Sequence, residues 1–231
     1  MSSFNLSILL SGPYHDWLIS GLLMSIKLTL ISLLLTIPLS IIIALLRMAP
    51  ISALRLIGQV YVEGTRNIPL LAHMLFWYFA APQLFPVELR TWLYAQNYEM
   101  ISAIIALVLY TASYMSEDIR SGMRSIPKEQ HEAGRSLGFG FFSIMKLVIL
   151  PQSLRITIPP LINQTLNLWQ NSSIAMVIGV AELMYQAGQV ESATFQTFES
   201  FAFATVAYLT VSAAISLLSH WYQHNSLVRR G

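Results

Sequence analysis

Charge is nearly absent from five stretches of the chain, each long enough to cross a bilayer: Trp17 to Leu46, Ile68 to Phe85, Met100 to Ile119, Leu154 to Gly179 and Phe198 to Trp221. The first contains only Lys27 as a charge, and as a helix it measures about 45 Å against a hydrocarbon core of about 30 Å, so it must tilt or project. A lysine at the centre of a span costs about 2.5–3.5 kcal/mol. Lys27 therefore has two outlets: its stem snorkels to the interface, or its ammonium faces a polar path. No basic segment precedes Trp17 and no small-residue cleavage site follows, which points to a retained span and not a signal peptide. A polar link, Arg47 to Arg66, leads to the second stretch. There His73 reads as a hydrogen-bonded interior residue, and Trp77 and Tyr78 as an interfacial aromatic belt.

Polar residues inside these stretches are phased, not scattered. At 100° per residue Tyr110, Ser113, Tyr114 and Glu117 share one helix face, which avoids lipid. Glu117 and Arg120 are spaced for an i,i+3 ion pair at the membrane surface. The fourth stretch has the weakest hydropathy, with Pro159, Pro160 and five amides. Asn163, Gln164, Asn167, Gln170 and Asn171 occupy about 120° of its helical wheel, while Leu166, Leu168, Trp169, Met176 and Val177 lie elsewhere. Lipid cannot satisfy such a stripe, so it packs against other helices or lines a water-filled path. Both readings are open, and with Tyr110, Tyr114 and Lys27 these amides form the candidate translocation path.

One charged interlude, Ser125 to Pro151, stands out as too short for a domain and too patterned for a linker. Ser125 and Pro127 are helix-start signals: a Ser oxygen accepts from free first-turn amides, and Pro gives up an amide hydrogen the helix cannot use there. Gly138 and Gly140 are stop signals, because glycine takes the left-handed conformation that closes a helix. The spacing predicts an amphipathic helix of about three turns, roughly 17 Å long. With no room for its own core, such an element suits docking to a partner.

Composition agrees with a membrane protein: 55% of 231 residues are hydrophobic and 10% charged. The chain has no cysteine, which excludes disulfides and Cys-based metal sites. Its net charge of +2 says less than the distribution of that charge. If all five stretches cross, one side collects every Lys and Arg except Lys27 and Arg90, and the other holds Asp16, Glu88, Glu99, Glu182, Glu191 and Glu199. The positive-inside rule then puts the N-terminus outside and the C-terminus and the Ser125–Pro151 interlude in the cytoplasm. The expected divisions are a short extracytoplasmic segment (1–16), a membrane domain (17–221) and a basic cytoplasmic tail (222–231).

Catalytic patterns fail on inspection. Gly134-Arg135-Ser136-Leu137-Gly138 matches a nucleophile elbow by letter, but a charged helix stands where that motif needs a strand. His131-Glu132 lacks the second His of a zinc-protease helix, and no phosphate-binding G-x-x-x-x-G-K-[ST] loop occurs. The sequence thus offers no catalytic residue, metal site or cofactor site, and no nucleic-acid motif. An ion-driven secondary transporter or channel would normally need an internal repeat or membrane-embedded carboxylates, and neither is evident.

The interlude resembles the EAA loop of ABC-importer permeases. Glu132-Ala133-Gly134, Gly138 and Val148-Ile149-Leu150-Pro151 stand in that family's register of EAA, three residues, Gly, nine residues and I-x-L-P. Gly134 replaces the second Ala, and Glu129 replaces the Gly usual before Gln130. Tyr114, Glu117 and Arg120 fit the family pattern of an aromatic, two residues, Glu, two residues and Arg. Tyr61 to Pro82 resembles the second core helix of polar amino-acid permeases, and WYFAAP and NSSIAMVIGVAELMYQAGQV are similar to the glutamate/aspartate branch.

The resemblance implies an all-α membrane protein of about five transmembrane helices, with the ABC transmembrane type-1 (MetI-like) fold and a cytoplasmic coupling helix. It implies residence in the bacterial cytoplasmic (inner) membrane as the lipid-embedded permease of an amino-acid importer, glutamate or aspartate being the cargo of the similar branch. Glu132, Ala133, Gly134, Gly138, Leu150 and Pro151 would form the ATPase-coupling loop. Partners would be two ATP-binding subunits carrying ATP and Mg, a second permease chain, identical or homologous, and an extracytoplasmic solute-binding protein.

Overall fold

The structure, a computed structural model, describes residues 11–228. Its first helix, α1 (Pro13–Met48), opens on a proline whose missing N–H costs nothing in a first turn, carries Asp16 near its positive end and Arg47 near its negative end, and tolerates Pro38 in its interior. Its buried face is built of small and hydroxyl residues, Gly21, Ser25, Thr29, Ser32, Thr36, Ser40 and Ala44. Gly21 and Ser25 lie against Glu182, Leu183 and Gln186, and α1 packs most extensively on the long helix α5 (Tyr98–Arg124), whose buried small residues include Ala103, Ala106, Ala112, Ser113 and Ser116. Asn97 caps α5, its side chain accepting from the Met100 amide at 3.1 Å.

Between these two helices the structure departs from the expected polar link followed by a plain span. Residues Ser52–Arg66 form a helix, α2, with Gly58, Val62 and Thr65 buried and Leu56, Ile57 and Val60 exposed. Tyr61 fastens it to α5 by donating to the Leu109 carbonyl at 2.6 Å. The link therefore has an apolar outer face, which an alternation of Arg and Leu concealed. The second stretch is a composite: α3 (Leu70–Leu75), a π-helical turn (Phe76–Ala80) and a 3-10 turn (Ala81–Leu84), bracketed by Pro69 and Pro82, then a short helix α4 (Val87–Tyr94).

The charged interlude follows as α6 (Lys128–Ser136), α7 (Phe141–Ile144) and a π-helical turn (Met145–Ile149). It runs without a break into α8 (Leu150–Asn171) and a 3-10 turn (Ser172–Ile178), closed by Gly179 at φ +88°. Next come α9 (Leu183–Thr194) and α10 (Thr197–Val228). Among the described residues four helical runs are long and apolar enough to cross a membrane: Pro13–Met48, Tyr98–Arg124, Phe141–Ile178 and Thr197–Asn225. The composite Leu70–Leu84 is the shorter fifth.

Contacts fix the direction of each run. Leu28 and Ala103 share one cluster and Ala44 and Ile119 another, so α1 and α5 point the same way. The composite is antiparallel to α5: Tyr61 meets Leu109, and further along Tyr98 donates to the Trp77 carbonyl at 2.6 Å. So is α8, which passes Gly122 with Thr157 and meets Asp118 with Gln164. A Cβ on Gly122 would overlap the Thr157 hydroxyl, so this glycine sets the crossing distance. Helix α10 follows α1, Ala204 lying with Leu18 and Tyr208 joined through Glu182 to Ser25. Five runs thus alternate in direction, as the parity of the charge argument requires.

Four clusters lie along α1, one of them joining Ile43 to Val62 of α2 and Ala112 of α5. Leu18, Leu183, Ala187, Val190 and Ala204 lie at its start. At its middle are Leu28, Leu70, Met74, Leu107, Leu168 and Ile178. Ala44, Ile119, Met123, Ile126, Ile144, Met145 and Ile149 lie at its end and tie the interlude to α1 and α5.

The expected caps of the interlude are corrected in part. Ser125 does not cap α6: its hydroxyl donates back to the Gly122 carbonyl at 2.7 Å, and Pro127 takes the N-cap position. Gly138, at φ +80°, is the left-handed stop, but Gly140 is extended (φ −73°, ψ 167°) and starts α7. At about 1.5 Å per residue α6 is about 13 Å long, shorter than expected. The segment 1–16 is described only from residue 11, and Arg229 and Arg230 lie outside the described residues.

Candidate functional site

Two helix faces that the sequence had singled out separately meet in one cavity. Tyr110, Thr111 and Tyr114 from α5 face Gln164, Asn167, Gln170 and Asn171 from α8 around about 260 Å³. The amides are linked: Gln164 Nε2 donates to Asp118 Oδ2 at 3.0 Å, and Asn167 Nδ2 donates to Gln164 Oε1 at 3.2 Å. The two tyrosine hydroxyls lie 3.2 Å apart. All seven lining side chains are uncharged, and together they offer donors and acceptors that can be exchanged for those of a polar solute without a change of protonation.

Four of the five stripe amides line the cavity, as do both tyrosines. Asn163 does not; it is exposed one residue away from the converging face. Lys27 is exposed on α1 and lines neither cavity; its neighbour Leu28 is the residue packed with Ala103, Ala106 and Leu107 of α5. His73 is held as an interior residue, with Nε2 3.1 Å from the Thr65 carbonyl and its ring against Tyr110. Tyr78 stacks on Tyr98, and the Trp77 carbonyl accepts from Tyr98, so these aromatics brace the opposite end of α5.

A second cavity, about 440 Å³, lies toward the ends of α1 and α5 from which α6 hangs. It is lined by Arg47, Val62, Glu63, Arg66, Asn67, Tyr114 and Glu117. The ion pair expected between Glu117 and Arg120 is present, with Arg120 Nε 3.0 Å from Glu117 Oε1. Arg47 from α1 joins the same carboxylate, which sequence spacing could not reveal. Tyr114 borders both cavities, and the Arg66 guanidinium lies over its ring, 4.4 Å from the centroid.

Glu182 is the functional-looking residue that sequence reasoning passed over, since it read as one more acidic residue in a turn. It is fully buried. Oε2 accepts from Ser25 at 3.1 Å and from Tyr208 at 2.8 Å, and Oε1 accepts from the Tyr185 amide at 2.8 Å, capping α9. The Ser25 hydroxyl in turn accepts from the Leu183 amide at 3.1 Å. Burial pushes the carboxyl above its usual range, while these donors pull it down. Trp169, beside the amide stripe, donates to the Tyr208 carbonyl at 3.3 Å and packs on its ring.

The residues of the EAA-like motif take two settings. Glu132 and Ala133 are exposed on α6, Gly134 is its buried residue, and Leu150 and Pro151 open α8. The motif's third position has a local reason to be glycine, because a Cβ on Gly134 would meet Ile144 Cγ1 at 2.9 Å. Ile144 is β-branched and buried, so it yields only at a packing cost, which offsets the about 0.5–1 kcal/mol by which alanine favours helix over glycine. Gly134→Ala is therefore expected to leave thermal stability within about 1 kcal/mol, whereas Gly134→Leu should lower it by about 1–3 kcal/mol through overpacking. Thermal unfolding of the purified protein checks both.

Residues 26–226 match the family model described as binding-protein-dependent transport system inner membrane component. A probable glutamine ABC transporter permease protein, GlnM of Bacillus subtilis, is 36% identical over 92% of this chain and 90% of its own length. The glutamate/aspartate import permease protein GltJ of Escherichia coli is 31% identical over 89% and 85%. Among solved structures, an amino acid ABC transporter crystallised with histidines superposes with a TM-score of 0.84 at 29% identity, covering 97% of this chain and all of that one. The MetNI methionine ABC transporter in an inward-facing form shares the fold, with a TM-score of 0.65 at 19% identity over 95% of this chain.

Proposed function

The chain belongs to the family of binding-protein-dependent transport system inner membrane components, and from that premise we propose that it forms the path of an importer for polar amino acids of the glutamate, aspartate and glutamine class. It is a multi-pass amino-acid ABC transporter permease subunit and not an enzyme. ATP hydrolysis belongs to separate subunits. The observation that carries the path is the convergence of Tyr110, Tyr114, Gln164, Asn167, Gln170 and Asn171 on one uncharged polar cavity between two helices. Such groups replace the water around a zwitterion piecemeal, and none binds so strongly as to hold it.

The interlude is the handle by which the ATP-binding subunits move this path. Leu137 and Phe142 are 74% and 84% exposed, and α6 exposes charges of both signs, Lys128, Glu129, Glu132 and Arg135, so the segment offers apolar side chains among polar ones. That surface suits a groove on another protein. The cluster around Ile144 connects it to the ends of α1 and α5, and α8 continues from it into the amide stripe. In this reading the handle faces the cytoplasm of a bacterial inner membrane, a second permease chain completes the path, a binding protein delivers substrate outside, and two subunits burn ATP with Mg inside. The membrane domain is assigned to residues 17–221.

The test is uptake of labelled glutamate, aspartate and glutamine into vesicles containing the complete transporter, with and without ATP. An Asn167→Leu/Gln170→Leu double variant should lose at least tenfold in rate while remaining assembled. Undiminished uptake in that variant would remove the cavity from the path, and uptake that persists on an ion gradient without ATP would replace the importer with an ion-driven carrier.

A further inference from the structure

We propose that Arg66 is the cation that receives a carboxylate of the transported amino acid, at the seam where the amide-lined cavity gives way to the second one. The inference rests on the amino-acid path argued above and adds the charge recognition that the seven uncharged lining residues do not supply. An anion passing through them needs a cationic partner, and Lys27, the cation expected from the sequence, lines neither cavity.

The second cavity and its rim hold three guanidinium groups, and two are already committed. Arg47 and Arg120 both pair with Glu117. Glu63, three residues before Arg66 on the same helix, accepts from Gln59 Nε2 at 2.8 Å. Among the described residues Arg66 has no carboxylate within ion-pair distance, although Glu117 and Asp118 are near enough to feel its charge; its guanidinium lies over the face of Tyr114, at 4.4 Å. A guanidinium stacked on an aromatic ring keeps its N–H donors in its own plane, directed outward and geometrically suited to a two-oxygen acceptor. Tyr114 is common to the linings of both cavities, so Arg66 stands where the two adjoin. It stands in the last turn of α2, where the helix dipole favours a cation.

The carboxylate has two sources on a polar amino acid, the α-carbon and the side chain, and glutamine has only the first. The complete transporter, without binding protein, is placed in phosphatidylcholine vesicles, and equilibrium binding of labelled glutamine and labelled glutamate is compared for wild type, R66Q and R66K. The expected result is at least a tenfold loss of affinity in R66Q, part of which R66K recovers. Loss for both amino acids assigns Arg66 to the α-carboxylate; loss for glutamate alone assigns it to the side-chain carboxylate. Unchanged binding of both in R66Q overturns the proposal, and if Asn167→Leu/Gln170→Leu still abolishes binding, the amide cavity survives without it. A defect seen only after phosphatidylglycerol is added assigns Arg66 to a lipid phosphate and likewise overturns the proposal. A wild type that binds neither amino acid would sink the path and this inference together.

Discussion

Replacing Gly138 with valine is expected to cut uptake at least tenfold while leaving the protein in the membrane, and to weaken co-purification of the ATP-binding subunits. The reason is local and geometric. Gly138 closes α6 at φ +80°, its amide donating to the Arg135 carbonyl at 2.9 Å and the next amide, Phe139, to the Gly134 carbonyl at 3.1 Å. This is the paired-bond closure in which a left-handed residue satisfies two orphan carbonyls. A Cβ there would meet nothing within 4 Å, so the penalty comes from the backbone alone. For a β-branched residue held in that region the strain is about 1–3 kcal/mol, enough to unwind the last turn of a helix this short. Because crowding plays no part, Gly138→Asn should retain most of the activity, since asparagine tolerates the left-handed region, and alanine should fall between. Full uptake with valine would remove the closure of α6 from the coupling mechanism.

The second large effect is expected at Glu182. Glu182→Ala leaves the Tyr208 hydroxyl, the Ser25 hydroxyl and the Tyr185 amide facing a buried site without their acceptor. Each unsatisfied buried group costs about 1–3 kcal/mol, and partial re-pairing leaves a net loss of roughly 3 kcal/mol. At about 2–4 °C per kcal/mol for a chain of this size, the melting temperature of the purified complex should drop by on the order of 10 °C. Glu182→Gln keeps one acceptor oxygen and should lose markedly less. Since Tyr208 packs on Trp169, uptake should fall along with stability in the alanine variant. An alanine variant as stable as wild type would show that the three helices are held by apolar packing alone.

The lesson for sequence reading lies in which residues could be found from periodicity. The amide stripe and the Tyr110–Tyr114 face were legible because each is a property of one helix, and lipid forbids such faces from pointing outward. That they meet each other is a fact of packing. Arg66 was hidden because it ends a segment that looked like a link, and Glu182 because nothing local marks an acidic cap as buried; its partners stand on α1 and α10, far away in sequence. Lys27 failed in the opposite way. Its depth in the span drew attention, but helical phase puts it off the face that meets α5. Arg47 shows the same limit at an ion pair, where the i,i+3 partner of Glu117 was visible and the distant one was not.

The π-helical turn at Met145–Ile149 carries a further implication. A loop of hydrogen bonds reaching five residues instead of four takes in one extra residue, which sets everything downstream back by about 100° relative to uniform winding. The compass bearing of Gln164, Asn167 and Gln170, measured from Ile144, is therefore written upstream of the amides themselves. A residue trimmed from the regular winding of α8 ahead of Gln164 would leave hydropathy and charge almost untouched yet turn the amides by about 100°, whereas one trimmed from this wide coil would let it close to ordinary α-helix with the amides still on their bearing, so composition alone would not betray the broken transporter.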